Sequence, residues 1–232
     1  MTLDLPIIGI AAVGAATASA LALVPLTTII PLRMQQAWQR ELTETAGALT
    51  QPIRPDKYGV SFRWKVAISV LGGVVGLVAS AAYGFTSAAA AVCVYLLGLV
   101  LLAAINLKHE LLPDKIVLPF LWAGLLYAAV AGHGSEHIYG ATVGYGVPWA
   151  LLFIGKASTG REFVGYGDLK VLAMAGAWFG LSALPVIFAA FVVGVIFSLV
   201  GAAVFNRVGG LLPTGPAHLF ASLAYVVGTR LF

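Results

Sequence analysis

The chain has 232 residues, 60% of them hydrophobic and 9% charged, with 13 Lys and Arg against 9 Asp and Glu for a net charge of +4. Soluble domains carry about 25% charged residues, so this composition excludes a disordered chain, an ordinary soluble enzyme and a nucleic-acid binder. A single cysteine, Cys93, excludes a disulfide framework and a zinc-ribbon module.

Crossing roughly 30 Å of hydrocarbon as a helix takes about 20 apolar residues. Eight stretches are candidates: Ile7 to Pro31, Val66–Tyr83, Ala88–Ile105, Ile116–Ala131, Ala141–Ile154, Leu169–Leu181, Pro185–Phe205 and Ala217–Phe232. The fifth and sixth are short. Backbone groups in lipid must be satisfied internally, so helices are expected. The polar–apolar alternation of a membrane barrel is absent. The expected fold is all-α, a polytopic membrane protein with about eight transmembrane helices. The first stretch has only Asp4 before it and no basic flank, so it reads as a retained helix rather than a signal peptide.

The polar stretch from Arg33 to Lys65 divides the chain into a first helix with its loop, residues 1–65, and a membrane domain, residues 66–232. Met34–Ala48 either continues the first helix beyond the membrane or lies along its surface. Arg33, Arg40, Arg54, Lys57, Arg63 and Lys65 make this loop cytoplasmic by the positive-inside rule and put the N-terminus outside. Lys108, Lys115, Lys156, Arg161, Lys170 and Arg207 then also fall inside. Arg230 alone falls outside, so one eight-span threading satisfies 12 of 13 basic residues. Trp38 and Trp64 are expected at the interface. Gly72, Gly73 and Gly76 read as packing positions between helices.

Two polar clusters interrupt the apolar pattern, and the threading puts both at cytoplasmic helix ends. One is Asn106-Leu107-Lys108-His109-Glu110-Leu111-Leu112-Pro113-Asp114-Lys115. The other is Gly165-Tyr166-Gly167-Asp168-Leu169-Lys170. A carboxylate at the membrane edge is costly and points to function. Asp168 is thus the leading candidate, with a helix cap as the plain alternative. Gly165 and Gly167 permit close approach of a peptide. Lys170 either pairs with a carboxylate or reaches to the interface. Asp114 after Pro113 reads first as a helix start. His109 lacks companion ligands, and His133 and His137 fall on the opposite side, so no metal site and no cofactor are expected.

These clusters resemble those of the bacterial type IV prepilin peptidase family, membrane aspartic proteases with a Gly-x-Gly-Asp motif. AINLKHELLPDKIVLPFLWAGLL and GYGDLKVLAMAGAWFG resemble its two catalytic regions. LPTGPAHLFASLA, Leu212 to Ala224, resembles a Pro-x-Gly-Pro stretch before its last helix. The resemblance implies eight helices in the bacterial inner membrane and a cytoplasmic-side site. It also implies cleavage of basic leader peptides from prepilins or pseudopilins of pilus or type II secretion machinery. The second aspartate of the family's dyad matches Asp168, whereas the first falls on Asn106. The family's two Cys-x-x-Cys pairs are missing from the loop. ALVPLTTIIPLR stands where a Gly-Ser-Phe-Leu-Asn-type stretch accompanies methyl transfer, so no structural zinc and no methyltransferase activity are expected.

Asparagine donates and accepts hydrogen bonds but does not cycle a proton near neutral pH, so proteolysis is expected to be weak or absent. Asp114 is a possible substitute, although it lies eight residues beyond Asn106, about 12 Å along an unbroken helix. Rival readings are a noncatalytic prepilin-binding or assembly protein and a small-molecule transporter with broken helices.

Overall fold

The computed structural model describes residues 5–46, 58–159, 165–204 and 213–230. Among these the regular structure is entirely helical. Helix α1 (Leu5–Ala18) runs through a π-helical turn (Ser19–Leu23) into α2 (Val24–Ala46), forming one continuous rod. The rest are α3 (Phe62–Tyr83), α4 (Ser87–His109), α5 (Asp114–Val130), α6 (Gly134–Thr159), α7 (Tyr166–Phe179), α8 (Leu184–Val204) and α9 (Gly215–Arg230). Over its described residues, each expected apolar stretch overlaps one of these rods. Of the two outcomes left open for Met34–Ala48, continuation of the first helix holds as far as Ala46. Arg54, Lys57, Arg161 and Arg207 of the charge argument lie outside the described residues, as do Leu212 and Phe232.

Local chemistry sets the helix ends. Thr86 caps α4 by accepting the Ala89 N–H at 3.2 Å. The same helix stops where Glu110 takes a left-handed backbone, φ 57°. Gly84 and Gly180, with φ of 66° and 82°, end α3 and α7. Pro113 precedes α5, where its missing N–H costs nothing. Helix α6 begins earlier than the apolar pattern suggests, because its polar first turn finds partners. Ser182 donates to Glu136 Oε1 at 2.8 Å, and His137 Nδ1 meets the Ala177 carbonyl at 2.9 Å. Hydropathy reads Ser135, Glu136 and His137 as loop; these bonds make them helix.

Among the described residues, four stretches are long and apolar enough to cross a membrane: Ile10–Glu44, Phe62–Tyr83, Ser87–His109 and Gly134–Ser158. Leu184–Phe197 is a shorter apolar helix. Large apolar side chains face outward, among them Leu126, Trp122 and Val130, the last 91% exposed. Such a surface suits lipid and would aggregate in water. The protein is an all-α, polytopic membrane protein.

Helices α4 and α7 form the centre. Ten of the fourteen residues of α7, Asp168, Leu169 and Val171–Trp178, are buried, so this short helix is walled by protein rather than lipid. Small residues let its neighbours close on it. A Cβ at Gly144 would stand 2.6 Å from the Leu172 carbonyl oxygen, and Gly140 and Gly176 meet backbone to backbone. Trp178 lies against Gly124 and donates from Nε1 to the Phe120 carbonyl at 2.7 Å. Tyr95, fully buried, satisfies its hydroxyl on Ser222 at 3.0 Å. The packing reading of the α3 glycines holds: Gly72 lies against Ser19, and Gly76 against Ala15, whose Cβ would stand 2.6 Å from an added Cβ.

Candidate functional site

Five helix ends meet around the polar clusters: the C-terminus of α4 and the N-termini of α3, α5, α7 and α9. Asn106 occupies the last turn of α4 and is 4% exposed. Its Oδ1 accepts the Gly215 N–H at 2.7 Å. That bond requires glycine, because a Cβ at 215 would stand 2.8 Å from the Asn106 Cβ and 2.9 Å from the Ala103 Cα. With Oδ1 held by backbone, the amide of Asn106 has a defined donor end.

Asp168 is the third residue of α7 and is also 4% exposed. The helix-cap reading of this residue holds for one of its oxygens. One oxygen, Oδ2, accepts the N–H of Gly165, the residue before the helix, at 3.2 Å, half of a capping box. The other, Oδ1, leaves the helix and accepts from the Thr214 hydroxyl at 2.5 Å; His218 Nε2 lies 2.9 Å from it. Burial penalises the carboxylate charge, and donors aimed at both oxygens favour it. The His218 ring is 3% exposed and stacks on Phe191, centroids 4.3 Å apart. Two consecutive residues, Thr214 and Gly215, thus hold Asp168 and Asn106 side by side.

Both oxygens of Asp114 are taken by Lys170 Nζ, at 2.6 and 2.8 Å, in a pair whose aspartate side chain is 51% exposed. Lys170 therefore pairs rather than reaching outward, and Asp114 is engaged with it, tying α5 to α7 beside the site. Pro113 ends the turn between α4 and α5, and Leu112 of that turn seats on Gly167, where a Cβ would meet the Leu112 Cβ at 3.0 Å. Gly165 contributes its N–H to Asp168. His109 does not pair with Glu110; it stacks on Tyr58, centroids 5.3 Å apart, and its Nε2 is buried without a partner. Lys108 donates to the Gly59 carbonyl at 2.5 Å, which brings the chain before α3 to the same end. Among the described residues, no three His, Cys, Asp or Glu side chains converge as metal ligands.

Sequence reasoning did not single out Thr214, Gly215 or His218. The signal was present in Pro213-Thr214-Gly215-Pro216, a rigid turn at the start of an apolar helix. It marks where the chain turns, but not which distant group it meets.

The profile of the type IV leader peptidase family matches residues 93–199. A prepilin leader peptidase/N-methyltransferase of Stutzerimonas stutzeri is 38% identical over 147 residues, 62% of this chain and 50% of that protein. Its namesake in Aeromonas hydrophila is 45% identical over 106 residues, 45% of this chain and 34% of that protein. The one in Escherichia coli K12 is 37% identical over 129 residues, 54% of this chain and 57% of that protein. The chain spans about half the length of the curated relatives it matches. No solved structure matches it. The segment that carries Asn106, Asp114 and Asp168 lies within the match to the type IV leader peptidase family.

Proposed function

We propose that the pocket formed by Asn106, Asp168 and the Thr214–Gly215 turn receives the leader peptide of a prepilin or pseudopilin and hydrolyses it slowly. Asp168 is the base. Asn106 stands in the place of the first catalytic aspartate, where it binds the scissile carbonyl without titrating. The observation that carries this reading is the bridge of two adjacent residues, Thr214 on Asp168 and Gly215 on Asn106. It makes one pocket of two clusters far apart in sequence. Asp114, held by Lys170, keeps α5 against α7 and is not the second carboxylate of a dyad.

In this reading all eight rods cross a bacterial inner membrane, with the N-terminus in the periplasm and the pocket on the cytoplasmic side. Helix α7 crosses within a shell of other helices, which removes the need for an apolar run of full length. Residues 66–232 form the peptidase unit, and residues 1–65 supply a helix that docks on α3. Methyl transfer is no part of the proposal.

The test is cleavage of a synthetic peptide with a Lys/Arg-rich leader, a glycine and a Phe-led apolar segment, by the full chain in proteoliposomes. Slow cleavage that requires Asp168 and accelerates in Asn106→Asp supports the reading; cleavage unchanged in Asp168→Asn removes it. A second reading, peptide binding for pilus or secretion assembly without turnover, draws on the same asparagine. Retained peptide by both wild type and Asn106→Asp, with cleavage by neither, selects it.

A further inference from the structure

The last helix is apolar around His218, and a leucine would fill its place against Phe191. What leucine lacks is the 2.9 Å contact from Nε2 to Asp168 Oδ1. Every element packed on this ring bears on its role. Helix α7 presents Asp168, and α8 presents the face of Phe191. Helix α4 presents Asn106, tied to Gly215, and further along Tyr95, whose hydroxyl is engaged with Ser222. The neighbouring charged pair, Lys170 with Asp114, is closed on itself. The imidazole is therefore directed to one carboxylate.

We propose that His218 is a positioning residue for Asp168, supplying the hydrogen-bond donor that a second, protonated carboxylate supplies in a two-aspartate site. The pocket then works as a carboxylate–imidazole pair with an amide opposite. This rests on the peptide-hydrolysis reading above. With Oδ1 held by Thr214 and His218, Oδ2 takes a proton from water as the water oxygen bonds to the scissile carbonyl carbon. The carbonyl π pair moves onto its oxygen, which meets the NH₂ of Asn106. The electron pair returns as the C–N bond breaks, and the proton on Asp168 passes to the leaving nitrogen. A carboxylic acid and an amine leave, and Asp168 is again a carboxylate. His218 keeps its Nε2 proton on Oδ1 throughout. Thr214 and His218 both converge on the carboxylate, so the hydroxyl is not placed as a nucleophile activated by histidine.

Two measurements on the full chain in detergent test this. The first is the proton NMR spectrum of chain labelled with ¹⁵N-histidine. A strongly deshielded Nε2–H resonance is expected, absent in His218→Gln and displaced in Asp168→Asn, which leaves His218 in place. The second is the steady-state kinetics of cleavage of the synthetic leader peptide. His218→Gln keeps a donor near Oδ1 but loses the imidazole. It is expected to lower kcat on the order of 10-fold to 10²-fold, at or below the 10² to 10⁴ of a general base itself, with KM little changed. A resonance that ignores Asp168→Asn, or a kcat unchanged in His218→Gln, overturns the proposal. If neither wild type nor Asn106→Asp cleaves the peptide, the hydrolysis reading falls, and the resonance alone decides whether His218 is bonded to Asp168.

Discussion

The two ends of the bundle use nearly the same side chains to opposite effect. At one end Asp168 meets a hydroxyl, Thr214, and a histidine, His218; at the other Glu136 meets a hydroxyl, Ser182, with His137 as its neighbour in sequence. Asp168 and His218 are 4% and 3% exposed, and the imidazole turns to the carboxylate. Glu136 lies at the exposed surface, and His137 turns instead to the Ala177 carbonyl. Water competes for the outer set, so it fastens α6 to α7 and to the turn before α8 and little more. The inner set is screened by protein on several sides, where interactions with charge strengthen. Residue type alone does not mark a site; enclosure separates a reactive cluster from a clasp.

The sharpest way to test this contrast is to restore the carboxylate that the inner end lacks. Asn106→Asp is expected to raise cleavage of the leader peptide by about 10² to 10⁴, and Asp168→Asn in the same chain to abolish the gain, both read on gels. Next in size is Gly176→Val. Gly176 meets Gly140 backbone to backbone, so the branched side chain forces α6 and α7 apart. A loss of at least about 1–3 kcal/mol is expected, measured by unfolding in mixed micelles. Breaking Asp114–Lys170 with Lys170→Met should cost at most about 1 kcal/mol, as for other partly exposed pairs, in the same assay. Glu136→Gln should be smallest, within about 0.5 kcal/mol and without effect on peptide cleavage. A large effect on cleavage from Glu136→Gln would erase the distinction between the ends.

The rods were legible because apolar stretches were bounded by recognisable breakers, Gly84, the turn carrying Pro113 and Gly165, although the sixth stretch runs past Gly180, which ends α7. The boundary at Gly134 was not, because hydropathy counts Glu136 and His137 as loop whether or not a neighbouring helix satisfies them. Asp168 and Asn106 stood out as polar residues at the edges of apolar runs, Asp168 next to motif glycines. His218 did not. A lone histidine in an apolar helix reads as packing until the helix carrying its partner is brought alongside. Gly215 was hidden for a related reason, since the demand for a missing side chain comes from Ala103 and Asn106 on another helix. Local pattern reports where a chain bends, whereas the identity of a partner is a property of the assembled bundle.

The π turn at Ser19–Leu23 has its own consequence for the first rod. A π turn holds one more residue than an α turn, so it resets the phase of the helix without bending the chain back. Up to its first residue, Ala11, Ala12, Ala15 and Ser19 form a shallow trough for the α3 glycines; after it, Val24 joins the apolar core with α4. Deleting any single residue from this turn would rotate one half of the rod by about 100° relative to the other, so one of the two seams would have to open. The irregularity lets a single uninterrupted rod match two neighbours whose surfaces are out of step.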